Sequence, residues 1–159
     1  MEKIKMDYIE KQNITIVDSL EDKDSVFHYL STFMVSHGEI PSRKEKAFYK
    51  ALWERENISV TGVGNGVAIP HAQKSFIKRP VIVFVKSKNP IPYESLIGDS
   101  VQLVFMIAVP DDKKNMHLQY LAKLSRRLMN ESFIKLLMDA NTVEELYEII
   151  HNDQFLNKM

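Results

Sequence analysis

The stretches VIVFV (residues 81–85) and VQLVFMIAV (101–109) decide the fold. Both are runs of β-branched and aromatic residues, each followed by a proline-bearing segment with Pro90 and Pro92 or Pro110, and such runs predict buried strands. On either side the apolar period changes to helical. Toward the N-terminus, after a short apolar run at Ile14 to Val17, the residues Val26, Leu30, Phe33 and His37 predict a first helix, with Gly38 as its stop. Ser42 stands three residues before Glu45, the spacing of a capping box, and Ala47, Phe48, Ala51 and Leu52 then predict a second helix ending near Arg55 or Asn57. Toward the C-terminus, His117, Leu121, Leu124 and Leu128 form one stripe, followed by Ile134, Leu137 and Met138. Leu146, Ile149 and Ile150 come last, behind a Thr142/Glu145 capping box. Ile58 to Thr61 and Gly66 to Ile69 are weaker strand candidates, the second ended by Pro70, which has no amide proton for a ladder. Helices, then strands, then helices predict a layered α/β domain with helices covering a mixed β-sheet.

Composition narrows the function classes. The 159 residues, 45% of them apolar, suit one domain with one core, and no repeat or linker-like tract divides them. Twenty-one basic residues balance twenty-one acidic ones, so the basic footprint expected of a nucleic-acid or anionic-membrane partner is missing. Without cysteine there is no disulfide, thiolate nucleophile or Cys-based metal site. The first 30 residues are charged throughout, and no window holds the roughly 18–20 apolar residues of a membrane span. A cytoplasmic location without membrane insertion is expected. The Asn157-Lys158-Met159 ending suits a stand-alone polypeptide, and a domain cut from a larger permease fits as well.

Three of the five glycines, Gly62, Gly64 and Gly66, precede Pro70-His71 in GVGNGVAIPHAQ (62–73). The segment lacks the Gly spacing of a dinucleotide fingerprint and the Gly-Lys-Ser/Thr of a triphosphate loop. Two compatible readings are turns or bulges with positive φ, and a bared backbone that lets another molecule approach. His71, placed after a strand and a stiffening proline, is expected to face solvent, either as a loop residue without a role or as a reactive imidazole. His117 follows Asn115, a possible N-cap. It is either a half-buried core residue or a neutral ring at a helix N-terminus that attracts anions. Arg55 is either a helix-terminal charge or a guanidinium fork for phosphoryl oxygens. His28, His37 and His151 are expected to be structural. Two histidines without a nearby third ligand make only a weak case for a metal site, and no cofactor is expected.

TGVGNGVAIPHAQ (61–73), WEREN (53–57) and MHLQYLAKLSRRL (116–128) together resemble the type-2 enzyme IIA domains of the bacterial phosphoenolpyruvate-dependent sugar phosphotransferase system. This is the mannitol/fructose class, which includes nitrogen-regulatory members. The three segments stand in the family's order and spacing and cover essentially the whole chain, 1–159, as a single domain. The resemblance implies a mixed sheet of about five strands with helices on both faces. It implies that His71 accepts phosphate, that His117 is the second active-site histidine and that Arg55 lies near the phosphoryl group. It also implies a phosphotransferase component that takes phosphate from phospho-HPr and passes it to a IIB partner, for uptake of a fructose-like sugar. A nitrogen-type regulatory protein is the alternative within the family, and a ligand- or metal-binding domain the alternative outside it. Ala72 and Gln73 depart from the family's usual glycine and basic or small polar residues. Ile69, Phe76 and Met116 are candidate docking residues beside the site, or core.

Overall fold

The computed structural model describes residues 9–111 and 114–156. Strand β1 (Ile14–Val17) is followed by helices α1 (Lys23–Ser36) and α2 (Glu45–Ile58), and then by β2 (Gly62–Gly64), β3 (Val67–Ala68) and β4 (His71–Gln73). The long strands β5 (Val81–Pro92) and β6 (Ser100–Val109) come next, and α3 (Lys114–Arg127), α4 (Glu131–Asp139) and α5 (Val143–Asn152) complete the order. The sheet runs β1-β5-β6-β3-β2, with β4 also pairing β6. It is mixed: β1/β5, β3/β6 and β4/β6 are parallel, whereas β5/β6 and β2/β3 are antiparallel.

Successive side chains of a strand point to opposite faces, so a strand apolar at every position must be covered on both. Ile82 and Phe84 of β5 join Leu103, Phe105 and Ile107 of β6 in one core layer, beneath Leu124, Phe133, Leu137, Leu146 and Ile150 of the three C-terminal helices and Leu128 just past α3. Val81, Val83 and Val85 join Val104, Met106 and Ala108 in the other, beneath Val26, Phe27, Leu30, Phe48 and Leu52 of α1 and α2. Phe84 and Phe105 are directly opposed in the β5/β6 register, and their rings stack with centroids 4.1 Å apart. Fully burying a side chain of this size contributes about 1.5–3 kcal/mol, so the two layers hold the central strands from both sides.

Helices therefore flank both faces, as expected, around six strands where about five were expected. Several local expectations need correcting. Ile58 to Thr61 is not a strand. Helix α2 continues to Ile58, past Arg55 and Asn57, and its C-cap Ser59 turns extended (φ −163°). The Ser42/Glu45 capping box does not form, because Ser42–Lys44 makes a 3-10 turn and α2 starts at Glu45, whose carboxylate instead accepts from Thr32 Oγ1 at 3.2 Å. Thr142 does cap α5, its Oγ1 accepting the Glu145 amide at 3.1 Å. Strand β5 runs through Pro90 and Pro92 rather than ending before them. An irregularity between Lys86 and Ile91 accommodates the residues that cannot donate to the ladder.

Candidate functional site

The glycine segment turns β2 back onto β3. Gly64, Asn65 and Gly66 all have positive φ (104°, 57° and 76°), the conformation in which a tight hairpin turn favours Asn-Gly. Gly62 answers a different need: a Cβ there would stand 2.6 Å from Ser95 Cβ, so only glycine admits this close approach of the 95–97 segment. Of the two readings of the glycines, turns and a bulge describe these positions, and the close neighbour at Gly62 is part of the same chain.

After Pro70 the chain pairs again with β6, His71 opposite Ile107 and Ala72 opposite Ala108. His71 is therefore a strand residue and half-buried, not a solvent-presented loop histidine. A three-residue strand is too short to show alternation in sequence, and its partner β6 lies some thirty positions away. The neighbouring departure, Ala72, is buried in the core layer under α1 and α2, where its methyl group packs. Gln73 donates from Nε2 to the Asp111 carbonyl at 3.3 Å.

Helix α2 delivers Arg55 to the same place. Arg55 Nε donates to His71 Nε2 at 2.8 Å, and Arg55 Nη1 donates to the Ser59 carbonyl at 2.8 Å. On the other side of the ring, His71 Nδ1 lies 3.0 Å from the Ile69 carbonyl. A carbonyl can only accept, so Nδ1 carries the proton. The guanidinium can only donate, so Nε2 presents its lone pair. The imidazole is thereby held neutral in a single tautomer. Burial pushes the His71 pKa below its usual 6.5, and the Arg55 charge pushes the same way, against the Ile69 carbonyl and the Glu56 charge.

Of the three expected site residues, the structure brings Arg55 and His71 into contact. His117 lies in the first turn of α3, but its side chain is outside the described residues, as is that of Met116. Asn115 is not the N-cap of α3, which already begins at Lys114. Ile69 is 3% exposed and belongs to the core layer under the C-terminal helices, and Phe76 is partly buried against the opposite layer under α1 and α2, so neither is a freely exposed docking residue. His28 stacks on Tyr49, His37 stacks on Phe33 at the end of α1, and His151 Nε2 lies 2.9 Å from the Ile9 carbonyl, all as structural histidines. No group of three metal-ligating side chains occurs among the described residues, and no described helix is long and apolar enough to cross a membrane.

Sequence reasoning missed Glu56 and Thr61. Behind Arg55, Glu56 is 4% exposed, with Lys23 Nζ on Oε2 at 2.9 Å, the Thr61 amide on Oε2 at 2.9 Å and Thr61 Oγ1 on Oε1 at 2.5 Å. Since the Thr61 hydroxyl proton is spent on Glu56, the Tyr93 hydroxyl, 2.7 Å away, donates to Thr61. The signal available in sequence was an acidic residue in the last turn of a helix, where the macrodipole disfavours it.

Residues 7–153 match the family model described as phosphoenolpyruvate-dependent sugar phosphotransferase system, EIIA 2. The chain belongs to this family. The EIIA chain is 36% identical over 141 residues to the fructose-specific EIIABC component of Bacillus subtilis, covering 89% of the chain but only 22% of that longer protein. It is 32% identical over 151 residues to the fructose-specific EIIA component of Haloferax volcanii, covering 91% of the chain and 97% of the relative. Among solved structures, the nitrogen regulatory protein IIA-Ntr of Neisseria meningitidis superposes with a TM-score of 0.82 at 25% identity, over 91% of this chain and 97% of that one. The same EIIA fold recurs, at 21% identity and a TM-score of 0.75, in the complex of enzyme IIAMtl with phosphorylated enzyme IIBMtl from Escherichia coli. That match covers 91% of this chain and 98% of the neighbour.

Proposed function

We propose that this EIIA chain, as one unit over residues 1–159, is a cytoplasmic phosphocarrier. In this reading His71 Nε2 takes a phosphoryl group from phospho-HPr and hands it to a IIB component serving uptake of a fructose-like sugar. The observation that carries this is the neutral His71 tautomer, with its Nε2 lone pair held against Arg55. An imidazole nitrogen is a nucleophile only when unprotonated, and the lowered pKa keeps it so at neutral pH. In the transfer the bond from Nε2 to phosphorus forms as the donor's nitrogen–phosphorus bond breaks, and that electron pair returns to the donor imidazole. The proton stays on Nδ1, hydrogen-bonded to the Ile69 carbonyl, so no separate base is needed. The phospho-ring keeps imidazolium character, which makes the group a good one to pass on.

A loose, metaphosphate-like transition state asks for position and for donors at the equatorial oxygens. Arg55 supplies such donors once Nε2 turns to phosphorus, and we assign His117, at the N-terminal turn of α3, as the second histidine of the site. The likeness to a IIA seen with phosphorylated IIB supports the acceptor, and that to the fructose-specific components supports the sugar class. The likeness to a nitrogen regulatory protein supports a second reading, in which the phosphorylation state of the same histidine controls partner proteins. A relay reconstituted from phosphoenolpyruvate through HPr tests the proposal. Intact mass should show one acid-labile, alkali-stable phosphate on the wild type and none on His71→Ala. Turnover with a fructose-class IIB separates the transport reading from the regulatory one, and phosphate on His71→Ala refutes the assignment.

A further inference from the structure

Glu56 is a buried carboxylate in the last turn of α2, where the helix macrodipole is unfavourable to an anion and desolvation is costly. Stability alone gives little reason for it, since well-packed apolar residues generally replace a buried ion pair at no loss. Its hydrogen bonds lead to the reactive ring by two routes. Along the first, both Glu56 oxygens hold Thr61, through its amide and its hydroxyl. The Thr61 carbonyl accepts the Ile69 amide at 2.9 Å, and the Ile69 carbonyl accepts the Nδ1 proton of His71. Along the second, the same clamp closes the turn after α2 that contains Ser59, whose carbonyl anchors Arg55 Nη1 while Arg55 Nε reaches His71.

We infer that Glu56 is a positioning residue: by locking the turn from Ser59 to Thr61, it holds in place both hydrogen bonds that set the His71 tautomer. The inference rests on the phosphocarrier reading, because only there does the lone pair on Nε2 matter. Glu56 touches neither the ring nor the transferred group and acts through Thr61, Ile69 and Arg55. Its charge also opposes that of Arg55 at the ring. Lys23, which pairs with Glu56 and lies over the Tyr93 ring at 4.6 Å, compensates the carboxylate.

The test is Glu56→Gln, which keeps the shape but cannot accept from Thr61 at both positions. Ring-labelled 15N spectra report the His71 tautomer without any phosphoryl donor. The wild type should show Nδ1–H, and the variant should gain Nε2–H. Single-turnover transfer from phospho-HPr should slow about tenfold or more, with half-saturation by the donor within about twofold, because orientation rather than docking is lost. A folded Glu56→Gln protein with wild-type tautomer and turnover overturns the inference. If that variant does not fold, Thr61→Val, which removes the hydroxyl arm alone, gives the same two readouts. Wild-type behaviour there overturns the inference equally. Absence of phosphate on wild-type His71 would instead remove the carrier reading, and the tautomer spectra would still decide whether the clamp holds the ring.

Discussion

Replacing Arg55 with methionine removes the donor on Nε2 while keeping a side chain of similar reach. In the resting protein the bond of 2.8 Å is charge-assisted, a class that contributes about 1.5–3 kcal/mol. Nε2 must give up this bond before it can attack, so its loss alone would speed transfer. During transfer, however, the guanidinium can donate to phosphoryl oxygens as negative charge shifts among them, and removing one such preorganised donor typically costs about 3–4 kcal/mol, or about 10²–10³ in rate. The second effect is the larger, so the net expectation is a fall of roughly tenfold, with about seventyfold as its upper bound. Arg55→Lys should restore little of it, because an ammonium lacks the planar fork. The charge state gives an independent sign. Arg55 pushes the His71 pKa down and also helps to cover the ring, so its removal raises that pKa. The acid limb of the pH–rate profile should therefore move to higher pH in Arg55→Met. Stability follows the same logic. With its folded pKa below 6.5, His71 favours the native state fully above pH 6.5, and that contribution is lost as pH falls through the folded value. The variant narrows that window. Stopped-flow phosphorylation by phospho-HPr from pH 5 to 8, with a 15N titration of the ring, measures both effects. An acid limb that stays in place or moves down, with a rate within about threefold of wild type, refutes the role given to Arg55.

Two further substitutions test the scaffold. Lys86 is 5% exposed, and its ammonium donates to the carbonyls of Leu137, Met138 and Ala140, closing the C-terminal end of α4. Lys86→Met leaves these acceptors unpaired and should cost about 2–4 kcal/mol, lowering Tm by about 5–15 °C in thermal unfolding. An unchanged Tm would show that water replaces the ammonium freely. Gly62→Ala forces a Cβ to within 2.6 Å of Ser95 Cβ and should cost about 1–3 kcal/mol in urea unfolding. Adding Ser95→Gly should recover only part of this, because the Ser95 Cα remains at 2.8 Å, and full recovery would place the strain elsewhere.

The burial of β5, unbroken from Val81 to Ser87, shows what was legible beforehand. A run apolar at every position already demands cover on both faces, so VIVFV between two sets of amphipathic helices implies a sheet sandwiched by helices. His28, His37 and His151 were read as structural because none stands in a motif like that of His71, and in the fold they stack on Tyr49, Phe33 and Tyr147. β4 was not, because three residues carry no measurable period and its ladder partner is remote in sequence. Nor was the true end of α2, where a buried carboxylate and the turn it holds extend the helix to Ile58.

By itself, the sequence determined the layered α/β architecture, the family and the identity of His71 and Arg55 as candidates, since periodicity and motif are properties of neighbouring residues. Only the tertiary structure decided that His71 sits in a strand, which of its nitrogens bears the proton, and that Glu56 stands behind the pair. Those depend on donors and acceptors from α2, the turn that follows it, Ile69 and β6, whose approach is set by packing of the two core layers.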